Sequence, residues 1–369
     1  MPNSSSREAP EIRVDLLGRA DESTAYAMVN RSWLRSLGDT FQLRQHDSVD
    51  TLDGVADALI WSDWERPFED YAPPPVAANS PAIAVRPWDF GPYPRVWVDR
   101  IHQHFRALCV HSNWLREKAI EGGVDADQVA VVPLGVDRDA FCAEGDTHPL
   151  ADPSWFTFLY VGASVRRKGL DVLLSAFRQE FAPDEGVRLV VKDRPVDVFY
   201  GGLDLTADLQ ELEPHVKSGA LVLLREHLSA PDLAGLMRGC DVAVFPYRAE
   251  GFALPILEAL SCGTPVVVPR FGACLDFCSE ASSFFAPHRR IRLPVARAMP
   301  YNSLGFSVPV EEVDFCEVST DGLRSVLREI ADAGRDALHA KREAAARVAE
   351  AFSWTASAHR LGELVERVV

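Results

Sequence analysis

The chain lacks any apolar run approaching the roughly 20 residues needed to cross a bilayer. It is also short of positive charge. Lys and Arg number 38 against 54 Asp and Glu, a formal net charge of −16. Residues 1–150 hold 14 basic and 24 acidic side chains and contribute −10 of that total. Such a field repels phosphate backbones and anionic lipid, which argues against nucleic acid as a partner. It disfavours peripheral membrane association too, though a local basic patch within an acidic total leaves that open. The first residues, "MPNSSSREAP", lack the charged-then-apolar plan of a secretory leader and read as a loose tail. The expectation is a soluble, cytoplasmic protein.

Other patterns are missing. The seven cysteines are odd in number and mostly lie in apolar strand or helix patterns, which suggests reduced core thiols rather than a disulfide frame. Cys274 and Cys278 stand four apart, but no second Cys/His pair with zinc spacing accompanies them, so no metal site is expected. Neither domain's first turn has the G-x-G-x-x-G of a nicotinamide-binding fold.

What the sequence does have is length and alternation. Its 369 residues, 47% hydrophobic, suit two domains. "IRVDLLG", "DALIWS", "PAIAVR", "ALCVHS" and "VAVVPLGV" read as buried strands, and "AYAMVNRSWLRSL" and "NWLREKAIEGG" as helices. A polar stretch without period, about Asp137 to Ser154, reads as the linker. A second series follows: "FTFLYVGA", "VRLVVKD", "GALVLLREH", "DVAVFPY" and "TPVVVP" as strands, alternating with helices such as "SAPDLAGLMRGC". The segment Arg289 to Val313 has no clear period, and the end of the chain is helical. Val/Leu-rich strands alternating with helices predict parallel sheets covered on both faces. The fold class is α/β, with two facing Rossmann-like, doubly wound domains and a cleft between them. The boundaries expected are 1–145, 146–345 and a helical tail, 346–369, that packs back on the first domain. Ligands in such sheets collect at the carboxyl ends of the strands.

Two loops fall there in the second series. In "AEGFALPILEALSCGTPVV", Glu250 lies in a loop after a strand and Glu258 about one turn into the following helix. Pro255 suits the first helical turn. The amides of Gly251, Phe252, Ala253 and Leu254 sit near a helix N-terminus, a ready anion site. Glu258 could merely complement the helix dipole, an effect of roughly 0.3–1 kcal/mol. That does not explain Glu250, Gly251 and an apolar run inside a loop. In "YVGASVRRKGLDVLLSAF", the cations Arg166, Arg167 and Lys168 follow a strand and precede a helix, a placement that can neutralise a diphosphate; a solvated basic loop is the alternative.

These stretches resemble motifs of the family-4 retaining glycosyltransferases, in which two glutamates are separated by seven residues. "VAVVPLGVDRDAF" resembles the strand and turn that close that family's first domain, and "FSWTASAHRLGELV" its last helices. The likeness runs from about residue 81 to the end and is weak before it. It implies a GT-B fold, a nucleotide-diphosphate sugar as co-substrate in the second domain, and an acceptor in the first. It implies that Glu258 binds the donor ribose and that Glu250 faces the donor sugar. Gly251 to Leu254 would meet sugar and phosphate, and Lys168 with Arg167 or Arg166 would hold the diphosphate. His227 and Leu228 would lie by the base. No metal is needed if those cations stabilise the leaving group.

Three positions depart from the family pattern. Ala163 stands where an arginine is frequent, which makes Arg166 or Arg167 the substitute, with Arg167 favoured. Leu134 replaces an asparagine and Ala253 a glycine. In the first domain, Trp88 and Asp89 of "AVRPWDFGPYP" are candidates to contact acceptor or donor sugar, with a structural Trp/Pro turn as the alternative. Gly18 either admits the phosphates or is an ordinary turn glycine. His102, His104 and His111 read as structural. The acidic first domain suggests a neutral or cationic acceptor, such as an amino sugar. An inverting transferase or phosphorylase of the same fold, and a non-catalytic sugar-nucleotide-binding protein, remain as alternatives.

Overall fold

The computed structural model describes residues 12–21, 24–62, 80–150, 152–194, 203–294, 298–300 and 307–369; the tail expected at residues 1–10 lies outside them. The first domain runs β1 (Arg13–Leu17), α1 (Ala25–Leu37), β2 (Gln42–His46), β3 (Ala58–Trp61), β4 (Ala82–Val85), α2 (Arg95–His104), β5 (Ala107–Val110), α3 (Asn113–Gly122) and β6 (Val129–Val131). The second begins with β7 (Phe156–Ala163), α4 (Leu170–Glu180), β8 (Val187–Arg194), α5 (Thr206–Glu211), α6 (Glu213–Ser218) and β9 (Leu221–Leu224). It continues with α7 (Ala230–Gly239), β10 (Val242–Val244), α8 (Leu254–Ser261), β11 (Val266–Pro269) and β12 (Ser283–Ala286). Then come β13 (His288–Pro294), β14 (Ala298–Pro300), β15 (Ser307–Pro309), β16 (Glu312–Val318), α9 (Thr320–Ala333), α10 (His339–Val348) and α11 (Trp354–Val368).

Both large sheets are parallel and six-stranded, as the Val/Leu-rich runs require. The first has the order β2-β1-β3-β4-β5-β6 and the second β12-β11-β10-β7-β8-β9. In the second sheet the order reverses between β7 and β10, which pair directly. The crevice outside their carboxyl ends is the topological switch point, where doubly wound folds bind ligands.

One strand ends differently from the sequence reading: "DVAVFPY" predicts a strand to about Tyr247, and β10 stops at Val244. β2 carried no apolar signal, because its polar side chains are absorbed by charge. Arg44 is held by Asp15 at 2.8 Å and Asp53 at 2.6 Å, and His46 lies 3.2 Å from the buried Asp15. The segment without period around Arg289 to Val313 is built on an antiparallel hairpin, β13 against β16, with β14 paired to β15 beyond it.

That hairpin ties the domains together. The Asp314 amide donates to the Phe90 carbonyl at 2.8 Å, and the fully buried Asp314 carboxylate pairs with Lys118 of α3 at 2.6 Å and with Arg290. Arg292 reaches Glu121 of α3. At the other end of the chain α11 packs on α1, with the Trp33 indole donating to Ser357 Oγ at 2.9 Å. The connector between the domains has no strand or helix among its described residues but is not loose. The Arg238 guanidinium donates to the carbonyls of Cys142 and Asp146, at 3.1 and 2.8 Å, and the His148 amide donates to the Gly235 carbonyl at 3.1 Å.

One described non-glycine residue has a left-handed backbone: Ala253, at φ 71° and ψ 57°, caps the start of α8. A side chain there strains against its own carbonyl.

Two outcomes are expected. Asp314→Ala removes one of the two carboxylates that pair with the buried Lys118, leaving Glu121 at 2.6 Å, and costs about 2 kcal/mol in urea unfolding, as for loss of hydrogen bonds to a charged group. Burial pushes the Asp314 carboxyl up, but Arg290 and Lys118 outweigh it and hold it below its ordinary 3.8, so this contribution is lost only as the pH falls below that value. Ala253→Gly relieves the left-handed strain and raises stability by up to about 1 kcal/mol, less the entropy a glycine adds to the unfolded chain. A drop in the urea midpoint of that variant contradicts the strain.

Candidate active site

The loops leaving β7 and β10 are stitched together by backbone. After β7 the chain makes a short turn over Arg166–Lys168, closed by Gly169 at φ 74°. A Cβ at Gly169 would collide with the Pro246 carbonyl from the neighbouring loop, so glycine is required by contact as well as by conformation. The Arg248 amide donates to the Arg167 carbonyl at 2.7 Å. The buried Arg248 guanidinium reaches the Arg166 carbonyl at 2.5 Å, Asp171 at 2.9 Å and Glu317 at 2.6 Å. Nothing local in "PYRAEG" announces this brace, because its partners are 77 and 69 residues away.

The brace turns two cations inward. Lys168 Nζ forms an ion pair with Glu250 Oε1, and Arg167 Nη1 lies 3.2 Å from the same oxygen. Arg167 Nη1 is also 3.3 Å from the Ala249 carbonyl and 3.4 Å from Asp89 Oδ2 of the opposite domain. Ser112, the N-cap of α3, donates its hydroxyl to the Gly251 carbonyl at 3.0 Å across the domain boundary. A Cβ on Gly251 would lie 2.6 Å from Asp89 Oδ1, so glycine is what lets the two loops meet.

Electrostatics separates the carboxylates. Burial pushes Glu250 up, but the charges and hydrogen bonds of Lys168 and Arg167 outweigh it and leave its carboxyl below the ordinary value. Asp89 is raised by burial, with the Glu250 charge adding to the effect against the pull of Arg167 and Lys168. Lys168 is lowered by burial, partly offset by Glu250. Glu258 has no hydrogen-bond or ion-pair partner among the described residues, and burial alone raises it to about 7. The crevice bounded by Tyr160, Lys168, Tyr247, Glu250 and Ala253 has about 10 Å³ of room, enough for about one water.

The structure therefore brings Glu250, Lys168, Arg167, Gly251 and Asp89 together. Arg166 points to solvent, while Arg167 turns into the cluster. Ala253 and Leu254 begin α8, with Glu258 one turn on, and Phe252 is buried against Phe277 and Phe352. His227 is exposed and Leu228 half-buried between β9 and α7, where Leu228 packs against the apolar core. Two first-domain expectations change. Trp88 is 1% exposed and stacks edge-on with Trp97 and Phe90, so its ring belongs to the core and not to a sugar. Gly18 is packed where a Cβ would meet Asn30 and the Ser62 carbonyl, so packing accounts for this glycine. Of the histidines, His111 is buried and bonded to the Val132 carbonyl at 3.1 Å.

Known proteins resemble this chain in sequence and in fold. Residues 156–292 match the family described as Glycosyl transferases group 1. A D-inositol 3-phosphate glycosyltransferase of Pseudarthrobacter chlorophenolicus is 33% identical over 173 residues, 45% of this chain and 40% of the relative. An MMP alpha-(1->4)-mannosyltransferase of Mycolicibacterium hassiacum is 29% identical over 200 residues, 52% of this chain and 45% of the relative. The matched stretch thus spans less than half the length of these curated relatives. Among solved structures, Anabaena HepE in complex with UDP and glucose superposes with a TM-score of 0.66 at 13% identity, over 96% of this chain and 100% of HepE. Sucrose-phosphate synthase from Thermosynechococcus elongatus gives 0.67 at 14% identity, over 97% and 99%. At these identities the structural likeness speaks for the fold. Residues 156–292 are a glycosyl transferases group 1 domain, and the chain that carries them has the GT-B fold.

Proposed function

We propose that the chain is a retaining glycosyltransferase that moves a sugar from a nucleotide-diphosphate donor to an acceptor hydroxyl. The observation that carries this reading is the convergence of Lys168 and Arg167 on Glu250 at the β7/β10 switch point, faced by Asp89 from the other domain. Those four groups sum to zero charge. A donor diphosphate enters by replacing the carboxylates as the partner of the two cations, and the raised proton affinity of Asp89 eases its release. Because Ser112 bonds to the Gly251 carbonyl and Asp89 meets Arg167 across the domain boundary, donor entry also requires the facing loops to part.

In the reaction the bond from the anomeric carbon to the diphosphate oxygen breaks, and negative charge grows on the leaving group. Lys168, Arg167 and the amides at the start of α8 stabilise that charge, a term that commonly dominates catalysis. The acceptor oxygen bonds to the anomeric carbon on the same face, and its proton passes to the departing phosphate oxygen. Glu250, held ionised, grips the sugar. Glu258 accepts hydrogen bonds from the ribose hydroxyls. The two fixed cations take the place of a metal. On the acceptor side Asp89 and the acidic first domain favour a neutral or cationic molecule.

The reading has measurable consequences. Lys168→Ala lowers kcat about 100-fold or more, in the range seen for loss of a single preorganised charge-stabilising group, whereas EDTA leaves the rate unchanged; strong inhibition by EDTA rejects the metal-free reading. Product NMR gives the anomer of the donor, and the opposite anomer rejects retention. Phosphorylated and neutral acceptors, such as inositol 3-phosphate and inositol, are compared directly; preference for the phosphate overturns the acceptor assignment.

Glu258 gives the pH dependence. Ribose binding needs its ionised form, so UDP affinity rises as the pH passes about 7. Glu258→Gln weakens UDP by roughly 10–100-fold at pH 8, as expected for losing hydrogen bonds to a charged group, and removes that part of the pH profile. Ionisation of UDP itself is common to both proteins and drops out of the comparison. In the free protein the sign reverses. The folded value lies above the ordinary 4.5, so Glu258 supports folding most at low pH and loses that support as the pH rises through about 7. The same substitution therefore stabilises the ligand-free protein more at pH 8 than at pH 5, as read by thermal unfolding.

A further inference from the structure

A second cleft, of about 330 Å³, lies at the opposite end of the same sheet. Asp241, which lines it, immediately precedes β10, whereas Glu250 follows that strand, so the sheet separates this cleft from the cation cluster. Three arginines face it: Arg238 at the end of α7, Arg335 after α9, and Arg342 on α10. The lining holds one carboxylate, Asp241. In a chain with 54 acidic residues against 38 basic ones, three guanidiniums around one acid is a local inversion of charge.

Their hydrogen-bonding capacity is not exhausted. Each guanidinium carries five N–H groups. Among the described residues, Arg238 makes three hydrogen bonds, all to the carbonyls of Cys142 and Asp146. Arg335 makes four, to the Asp241 carboxylate and the carbonyls of Pro153 and Trp155. Arg342 makes three, to the carbonyls of Cys240, Asp241 and Arg238. Ten of fifteen donors are used among the described residues, so the three side chains are not saturated. The backbone bonds also hold the three side chains in place before any ligand arrives, which limits the entropy lost on binding. Burial disfavours the cation on Arg342, Asp241 offsets part of that and Arg335 adds to it, so the net effect lowers its proton affinity and an added anion would oppose it.

We propose that this cleft is an effector site for a small phosphate monoester, distinct from the donor site. The phosphoryl dianion balances the two excess positive charges and meets the planar donors that suit its oxygens. Leu338 and Pro153 supply apolar wall for the carbon body, and the volume suits a molecule the size of a sugar phosphate. The position gives binding a consequence. Thr147 and Pro153 belong to the connector between the domains, and α10 packs on α8, which carries Glu258. A bound phosphate would draw α10 toward the connector and, through the packing of α10 on α8, bias the position of Glu258. This inference does not depend on the proposed transferase activity.

The test is thermal unfolding of the full chain titrated with glucose 6-phosphate or inorganic phosphate, at ionic strength held constant with NaCl. Thr147→Glu is the main variant. Thr147 is exposed and makes no side-chain hydrogen bond among the described residues, so the change places a carboxylate in the cleft without removing a structural contact. Wild type and Lys168→Ala are expected to show the same saturable stabilisation, with glucose 6-phosphate at least 10-fold tighter than inorganic phosphate. Thr147→Glu and Arg342→Gln abolish it, and Thr147→Glu keeps the wild-type response to UDP. Full response in Thr147→Glu overturns the proposal, as does loss of response in Lys168→Ala, which would assign the effect to the donor site. Equal affinity for the two probes overturns the monoester assignment, and an absent or unsaturable wild-type response ends the proposal even if neither cleft variant folds.

Discussion

Two adjacent cations, Arg167 and Lys168, share one carboxylate, Glu250, at the point where the second sheet reverses its strand order. Most of what is specific in the surrounding structure serves that contact. Gly169 allows the β10 loop to press against the turn that carries the cations. Arg248 fixes the same turn through its carbonyls and through Asp171 and Glu317. Ser112 and Asp89 bring the first domain onto the Glu250 loop. Desolvated charges of this kind persist only when paired. In the proposed reading the carboxylates hold the cations for a stronger anion, since a diphosphate carries more charge in a compact form than either carboxylate.

The domain contacts make this poise a property of the whole chain. The hairpin of β13 and β16 holds the loop after β4 through Phe90 and grips α3 through Lys118 and Glu121. Asp89 is the neighbour of Phe90, so the hairpin helps set where that carboxylate meets Arg167. At the far side α11 returns to α1, so the last helix belongs in space with the first domain. Opening the cleft works against both contacts at once, whereas the connector, bonded to α7, moves with the second domain. Such an arrangement favours a small parting of the facing loops over a wide swing.

Much of this was legible in the sequence where the signal is local. Continuous runs such as "FTFLYVGA" could only be buried parallel strands, and loops at their ends had to carry the cations and Glu250. Arg167 turns into the cluster and Arg166 to solvent because a short turn points consecutive side chains in different directions. What stayed hidden depends on distant partners. β2 looked polar because its arginine and histidine answer an aspartate on β1. The hairpin was unreadable because its charged side chains pair across strands and across domains. Trp88 was open in the sequence between a sugar contact and a structural turn, and the structure packs it against Trp97 and Phe90 in the core. The Arg248 brace and the Asp89–Arg167 contact join residues more than 60 apart, and no short pattern encodes them.

The most direct test of the central claim is a crystal structure of the full chain with UDP bound. The account predicts the β-phosphate within hydrogen-bonding distance of both Lys168 Nζ and Arg167, with Asp89 displaced from the guanidinium and the ribose hydroxyls on Glu258. A diphosphate seated elsewhere, with the Lys168–Glu250 and Arg167–Asp89 contacts intact, would contradict it.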